Sequence, residues 1–209
     1  MVVALPLAIL TDHLSPFCGV PPSSVKANGV TVIGEKSFIF CQKLTRAVLP
    51  DSVIKIEAMA FYECIMLTDI SLPCNLIEIG ISAFCGCKKL INIVFPNSIT
   101  SIGHSAFQNC QSLICIELPV HLTHLGGAAF QNCSRLSSIN IPGSIKRIRT
   151  WTFAKCTSLS GTIIPQGIIE IQEHAFHACA IFSVFSVQYF LTSSGGTSFT
   201  PAQPLPYFS

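Results

Sequence analysis

The chain has 209 residues, of which 50% are hydrophobic and only 11% are charged, and its formal net charge is +2. The length is sufficient for a substantial core, and the near-neutral charge argues against the basic stripe typical of nucleic-acid-binding proteins. Charged residues usually make up about 25% of a globular domain. We therefore expect an elongated molecule with an internal apolar seam and an outside rich in Ser, Thr, Asn and Gln.

The first ten residues, MVVALPLAIL, form an apolar stretch. No apolar run in the chain reaches the ~18–20 residues that a membrane-spanning helix needs, so no membrane span is expected. The stretch has the length of a signal-peptide core, but no Lys or Arg precedes it and no convincing small-residue cleavage site follows. We favour a hydrophobic N-terminal segment, and assign residues 1–27 to it together with a degenerate first repeat that includes PPSSV (residues 21–25).

From about residue 28 onward the sequence repeats itself every 23 residues. Proline marks the period at Pro50, Pro73, Pro96, Pro119, Pro142 and Pro165. Phenylalanine marks it at Phe38, Phe61, Phe84, Phe107, Phe130, Phe153 and Phe176. Columns of Leu, of Ile and of small residues keep the same spacing without an insertion. A period of this length is too short for helical-pair repeats or propeller blades and predicts one coil of a β-containing solenoid.

Within one coil, the apolar alternation at Ile70 and Leu72 predicts a short strand with one face inward, which the following proline closes. A second segment of the coil, which is expected to be extended, carries the apolar pair Leu76 and Ile79. Gly80 is interpreted as a corner. The spacing of Ala83, Phe84 and Cys87 predicts a short helical turn with one buried face.

In a single coil the recurring apolar side chains would be exposed to solvent on both sides, whereas in a stack each coil buries those of its neighbours. The L-x-x-I-x-L strand followed by P-x-x-L-x-x-I-G-x-x-A-F-x-x-C-x-x-L resembles the BspA-type leucine-rich repeat family. The resemblance covers residues 28–188 and implies an α/β leucine-rich-repeat solenoid of about seven coils, with a parallel sheet on one face and short strands or helical turns on the other. Residues 189–209, rich in Ser, Thr, Gly and Pro, are interpreted as a disordered tail, and the array as a possible fragment of a longer one.

Eight of the eleven cysteines fall on the 23-residue period. They are Cys18, Cys41, Cys64, Cys87, Cys110, Cys133, Cys156 and Cys179. A column in register with Phe and Leu favours buried packing over disulfides or a metal site, because stacked Cβ vectors point the same way. No zinc-ribbon spacing is present.

Residues with catalytic potential do not cluster. The pairs His121/His124 and His174/His177 lack further ligands and are interpreted as solvated, and no P-loop, G-x-S-x-G or G-x-G-x-x-G motif occurs. We therefore expect no enzyme activity and no cofactor. Asn132-Cys-Ser134 matches a glycosylation sequon, but its middle residue lies in the buried column.

The outward strand positions form the candidate interaction face. Its residues are Asp69, Ser71, Asn92, Val94, Glu117, Ser138, Asn140 and Ile163. A plain solvated sheet explains these mixed side chains equally well.

The sequence thus predicts a non-catalytic, monomeric interaction module for a protein or glycan ligand, with no nucleic-acid partner. The family resemblance implies an adhesion or recognition role by analogy. The alternative is an intracellular scaffold or regulatory subunit. A remote alternative is an enzyme with an unrecognised site. Location stays open between the cytoplasm, which unpaired thiols slightly favour, and the cell surface.

Overall fold

The structure is a computed structural model that describes residues 2–3, 29–160, 162 and 164–180. Residues 4–27 of the predicted N-terminal segment, Ile163 and residues 181–209, which include the predicted disordered tail, lie outside this part of the chain. The predicted solenoid boundaries, after residue 27 and after residue 188, therefore stay predictions.

The strands of successive coils form two parallel ladders. The first ladder contains β1 (Val2–Val3), β3 (Arg46–Val48), β5 (Asp69–Ser71), β8 (Cys115–Glu117) and β10 (Ser138–Asn140). The second contains β2 (Val32–Ile33), β4 (Lys55–Ile56), β6 (Glu78–Ile79), β7 (Ser101–Ile102), β9 (His124–Leu125), β11 (Arg147–Ile148) and β12 (Glu170–Ile171). The predicted parallel solenoid is confirmed.

The strand register equals the sequence period. From β2 onward every pairing joins residues 23 apart, as in Ile56 with Ile79 and Ile70 with Ala47. The first ladder pairs β1–β3–β5 and β8–β10, and the second pairs β2–β4–β6–β7–β9 and β11–β12. Equal register stacks identical columns directly above one another, so one repeated sequence completes the core of its own copies.

The phenylalanine column forms the centre of the core. Adjacent rings from Phe38 to Phe176 are stacked, with centroids 5.0 to 5.9 Å apart and interplanar angles of 3 to 20°. Phe107 is fully buried between Phe84 and Phe130, with Phe95 edge-on at 5.5 Å. Because each ring contacts the next, the stack contributes packing along the full described length of the solenoid.

The predicted helical turn around each phenylalanine is wrong in conformation, although its burial is right. Ser105 and Asn109 have left-handed φ values of 53° and 62°. The N–H groups alternate: those of Ala106, Gln108 and Cys110 close turns within the coil, whereas those of residues 105, 107 and 109 donate to carbonyls of the next coil at 2.8–2.9 Å. A helix would keep all of these N–H groups within the coil, so the stacked array replaces it with a third inter-coil ladder.

From Cys41 to Cys156 the cysteine column is buried, as predicted, and it also forms hydrogen bonds; Cys179 is half-buried and Cys18 lies outside the described residues. The Cys110 thiol donates to the Phe84 carbonyl of the preceding coil at 3.2 Å, and that carbonyl also accepts the Cys87 N–H. The same thiol-to-carbonyl bond, spanning 26 residues, recurs from Cys64 to Cys179 at 2.9–3.2 Å. No disulfide links the ten cysteines within the described residues.

The glycine column has a different role from the predicted corner. Gly80, Gly103 and Gly126 lack the left-handed φ that a glycine corner would explain. A Cβ at Gly103 would lie 2.7 Å from the carbonyl carbon of Gly80, and one at Gly126 would lie 2.4 Å from that of Gly103. Glycine is therefore required there because successive backbones approach too closely for any side chain.

Candidate interaction surfaces

The described residues hold no constellation typical of an enzyme or metal centre. No three His, Cys, Asp or Glu side chains in this part of the chain group closely enough to hold a metal ion. His174 and His177 do contact each other, with centroids 5.5 Å apart, and His174 stacks on Trp151 at 4.3 Å. None of the described helical segments is long and apolar enough to cross a membrane.

The first candidate surface is the sheet face, defined as the outward side of the first ladder from residue 46 to residue 140. The strands follow an exposed–buried–exposed or half-exposed–buried–exposed pattern, so the middle residue of each enters the core. The structure places on this face, exposed or half-exposed, seven of the eight sequence-predicted residues: Asp69, Ser71, Asn92, Val94, Glu117, Ser138 and Asn140. It thus places them on one side of the first ladder.

Polar groups on the sheet face are partly paired with one another. Arg46 and Asp69, opposite each other on β3 and β5, form an ion pair at 2.9 Å. Cys115 and Ser138 form the corresponding pair on β8 and β10, with Sγ and Oγ 3.4 Å apart. Exposed pairs of this kind add about 0–1 kcal/mol each, so they shape the surface more than they stabilise it.

Three large aliphatic side chains lie exposed near the middle of this face. Val94 is 74% exposed, Ile91 49% and Ile114 40%. Sequence reasoning identified Val94 but missed Ile91 and Ile114, which precede the strand positions. A signal was available, because the other members of their column, from Thr45 to Ser160, are Thr or Ser, so two isoleucines there are unexpected on a merely solvated face.

The ladder is also interrupted at this point. Residues 92–94 occupy the strand position between β5 and β8 but form no strand. The remaining backbone contacts are long, with Ile91 N to Thr68 O at 3.4 Å and Ile114 N to Ile91 O at 3.3 Å. The exposed aliphatic cluster of Ile91, Val94 and Ile114 therefore coincides with the weakest backbone pairing on this face.

The second candidate surface is the glycine groove, an open groove of about 310 Å³ beside the second ladder. Its floor is the closely packed backbone at Gly80, Gly103 and Gly126. Arg149 occupies the next position of the same column, 23 residues after Gly126, and lines one end. The groove thus extends along the glycine positions of this column and ends at the side chain of Arg149.

Polar side chains from several columns line the glycine groove. Ser101 and His124 project from the outward row of β7 and β9, and His104 comes from the following turn. The lining carboxylate, Glu78, forms an ion pair with Lys55 at 3.3 Å. Arg149, in contrast, forms no ion pair within the described residues. The groove therefore carries one carboxylate that is already ion-paired, Glu78, and one guanidinium without an ion-pair partner among the described residues, Arg149.

Burial at the groove, together with the nearby positive charge of Arg149, lowers the pKa of His124 from its ordinary value of 6.5. Both causes disfavour the charged imidazolium. Sequence reasoning missed this site, since it compared His124 with His121 and did not consider His104 and Arg149 together. Those three groove residues belong to different columns of the repeat, so no local motif unites them.

The predicted sequon residue Asn132 lies outside both surfaces, in a side-chain ladder along the turns. Its amide nitrogen donates to Asn109 Oδ1 at 2.8 Å, and the neighbouring Gln108 donates to Gln131 at 2.6 Å. Asn132 is half-buried and has a φ of 60°. Its amide is thus already used in the stack.

Comparison with known proteins agrees with this geometry. The family model described as "BspA type Leucine rich repeat region (6 copies)" matches residues 21–100 and 77–203. The chain belongs to the BspA-type leucine-rich repeat family. The family model counts six copies, whereas the second ladder of this family member has seven strands among the described residues, which agrees roughly with the seven coils predicted. No curated protein matches the chain.

Solved structures show the same fold. A leucine-rich repeat protein of T. pallidum is 32% identical with a TM-score of 0.63, over 81% of this chain and 73% of that one. A leucine-rich repeat protein from Bacteroides ovatus is 26% identical with a TM-score of 0.63, over 87% of this chain but half of the other. The pneumococcal vaccine antigen PcpA, at 22% identity and a TM-score of 0.56, covers 65% of this chain and 34% of its own length, and shows the fold alone.

Proposed function

We propose that this BspA-type repeat chain is a non-catalytic interaction module that binds a protein ligand through the sheet face. One observation carries the proposal: Ile91, Val94 and Ile114 are large aliphatic side chains left exposed on the outward side of the first ladder. Exposed apolar clusters rimmed by polar residues are typical of protein-binding surfaces. Membership of a leucine-rich repeat family supports the same reading.

The rim of the cluster suits a specific complex. Ser71, Asn92 and Glu117 surround Val94 and offer hydrogen-bonding groups that a solvated partner would have to match. A glycan ligand is the weaker candidate, because the outward rows of this face carry no aromatic ring on which a sugar could stack. By analogy with the family, an adhesion role would apply if the chain is located at the cell surface.

For location we propose the cytoplasm, where the chain would act as a scaffold or regulatory subunit, with the cell surface as the alternative. Free thiols support the cytoplasm, since Cys74 and Cys115 are exposed and unpaired and exposed thiols are uncommon in oxidising compartments. Fractionation of cells with intact-mass analysis tests this. A secreted form lacking its first residues would overturn it.

The binding proposal is tested by placing a photo-crosslinking phenylalanine analogue at Val94 and, as a matched control, at the exposed turn residue Gln111. We expect a protein adduct from position 94 and none from position 111. The captured protein, once purified, should bind Val94→Asp and Ile91→Asp variants at least tenfold more weakly than the unaltered chain.

The variant Gln111→Asp should bind that protein within twofold of the unaltered chain. A partner that crosslinks from position 111, or whose affinity is unchanged by Val94→Asp, would show that the sheet face is a plain solvated surface. Turnover of a substrate by the purified chain, lost on a single substitution, would favour the remote enzyme alternative instead.

A further inference from the structure

We propose that the glycine groove is a second binding site, which accepts a carboxylate side chain from an acidic peptide segment. The proposal names a partner chemistry beyond the interaction role proposed above, and it concerns a different surface from the sheet face. The groove has a floor of fixed shape, and its lining carries an unbalanced positive charge.

The groove is fixed in shape by the main chain. Its floor is backbone, because added Cβ atoms at Gly80, Gly103 and Gly126 would lie within 2.4–2.9 Å of the preceding coil. The strands that border it, β6, β7 and β9, are continuously paired. A ligand therefore meets a floor of fixed shape in a groove of about 310 Å³, large enough for one or two side chains and their backbone. The Arg149 end of the groove follows β11, which does not pair with β9.

The charge in the groove favours an anion. Glu78 is already paired with Lys55 at 3.3 Å, whereas the Arg149 guanidinium has no ion-pair partner among the described residues. A guanidinium matches a carboxylate with two parallel N–H donors. Ser101 adds a hydroxyl to the lining and His124 an imidazole, both able to donate to the second oxygen.

A peptide is favoured over an acidic sugar. The lining contains no Phe, Tyr or Trp side chain, which removes the stacking surface that sugar rings commonly use. The groove runs along a ladder whose coils are about 4.8 Å apart, and an extended peptide places alternate side chains on one side at about 6.6–6.8 Å intervals. One acidic residue can thus reach Arg149 while its neighbour lies over the glycine floor.

The test uses the full 209-residue chain and a defined probe, the acetylated and amidated peptide Ala-Glu-Ala-Glu-Ala, with its Gln counterpart as the neutral control. Titration is followed by ¹H–¹⁵N NMR. We expect the Glu peptide to shift the amide signals of Gly103, Gly126 and Gly127 and the Arg149 side-chain Nε–H signal. The Gln peptide should bind at least tenfold more weakly.

Two matched arginine variants separate the site from general surface charge. Arg149→Met should weaken binding of the Glu peptide at least tenfold, whereas Arg147→Met should change it less than twofold, since Arg147 is already paired with Glu170 at 3.0 Å. Thermal unfolding of both variants establishes that they are folded.

Equal binding of the Glu and Gln peptides, or equal losses in the two arginine variants, would overturn the proposal. So would groove shifts caused by an oligosaccharide of glucuronic acid in the absence of any shift by the Glu peptide, which would assign the groove to an acidic glycan. The variant Val94→Asp distinguishes a failure of this proposal from a failure of the proposed function. It should abolish binding of the partner at the sheet face and leave binding of the peptide in the groove intact.

Discussion

The thiol of Cys110 donates a hydrogen bond to the carbonyl oxygen of Phe84, 3.2 Å away in the preceding coil. That carbonyl is buried in the core between two coils, and the thiol supplies a second donor to it while filling the volume of a small apolar residue. The relationship explains why cysteine, rather than alanine, accompanies phenylalanine in coil after coil.

The buried thiols should make the fold sensitive to alkaline pH. Burial raises the pKa of Cys110 well above 9.0 and that of Cys179 to about 11. Between the unfolded and folded pKa values the folded chain holds more protons, so stability is full below about pH 9 and falls above it, by up to about 1.4 kcal/mol per pH unit for each such thiol. Urea unfolding under reducing conditions at pH 8, 9.5 and 10.5 measures this slope.

The variant Cys110→Ala should reduce that slope by one thiol's share. Leu113→Ala, which removes core volume but no titrating group, is the control and should lower stability equally at each pH. An unchanged slope in Cys110→Ala would contradict the assignment of the pH effect to the thiol column.

Truncation of the phenylalanine stack should be costly. Phe107→Ala removes a fully buried ring that contacts Phe84, Phe130 and Phe95, and we expect a loss of about 3–5 kcal/mol in the free energy of unfolding. Phe40→Ala makes the same chemical change at a side chain that is 54% exposed and should cost less than about 1 kcal/mol. Similar losses in both variants would mean that the stack is not the core.

The close approach of coils at the glycine column predicts a strong position effect. In Gly103→Ala the new Cβ would meet the Gly80 carbonyl carbon and the Ile81 nitrogen at 2.7 Å. Backbone has to move, so a loss of about 2–3 kcal/mol is expected. Gly143→Ala, where nothing lies within 4 Å of the added atom, should be neutral or slightly stabilising. Chemical denaturation of the pair measures both effects.

The left-handed turn positions offer a stabilising change. Lys155 is exposed, with a φ of 61°, and belongs to the column in which Gly86 has a φ of 78°. Lys155→Gly removes the Cβ strain of that conformation, and we expect a gain of about 0.5 kcal/mol after the entropy cost of glycine. Lys155→Ala retains the Cβ and should bring no gain; a gain as large as that of glycine would contradict the strain argument.

Binding in the glycine groove should strengthen as the pH falls. Protonation of His124 as the pH falls adds a positive charge beside the bound carboxylate, and burial together with the charge of Arg149 lowers the pKa at which this occurs. The charged and titrating groups that line the groove with it are Glu78, His104 and Arg149, and Arg147 lies on the neighbouring strand position. We expect affinity for the Glu peptide to rise severalfold between pH 7.5 and 5.5.

In that titration the affinity of the variant His124→Gln for the Glu peptide should rise clearly less as the pH falls. The variant His104→Gln is the control that distinguishes the contribution of His124 from that of His104. The Glu carboxylates of the peptide remain largely ionised over this range. Full retention of the pH dependence in His124→Gln would assign it elsewhere.

The sequence predicted the features that depend on burial, because burial constrains residue type at a fixed period. The Phe, Leu and Cys columns therefore located the core, the register and the number of coils. Backbone conformation was less accessible: Ser105 and Asn109 are ordinary residues, and nothing in their chemistry indicates the left-handed φ that the stacked turns impose on them.

The candidate surfaces were predictable in unequal measure. Alternation in the strands placed Val94 and its neighbours outward, while Ile91 lies one position before the strand and was not considered. The glycine groove could be predicted only if Arg149, which occupies a position of the glycine column, was known to lie near His124, which belongs to another column. That neighbourhood is a property of the stacked backbone, not of any short stretch of sequence.

The two ladders are interrupted at different levels. The first is broken at residues 92–94, where β6, β7 and β9 of the second remain paired, and the second is broken between β9 and β11, where β8 and β10 of the first remain paired. Every coil boundary between Val32 and Ile171 is thus bridged by strand pairing in at least one of the two ladders.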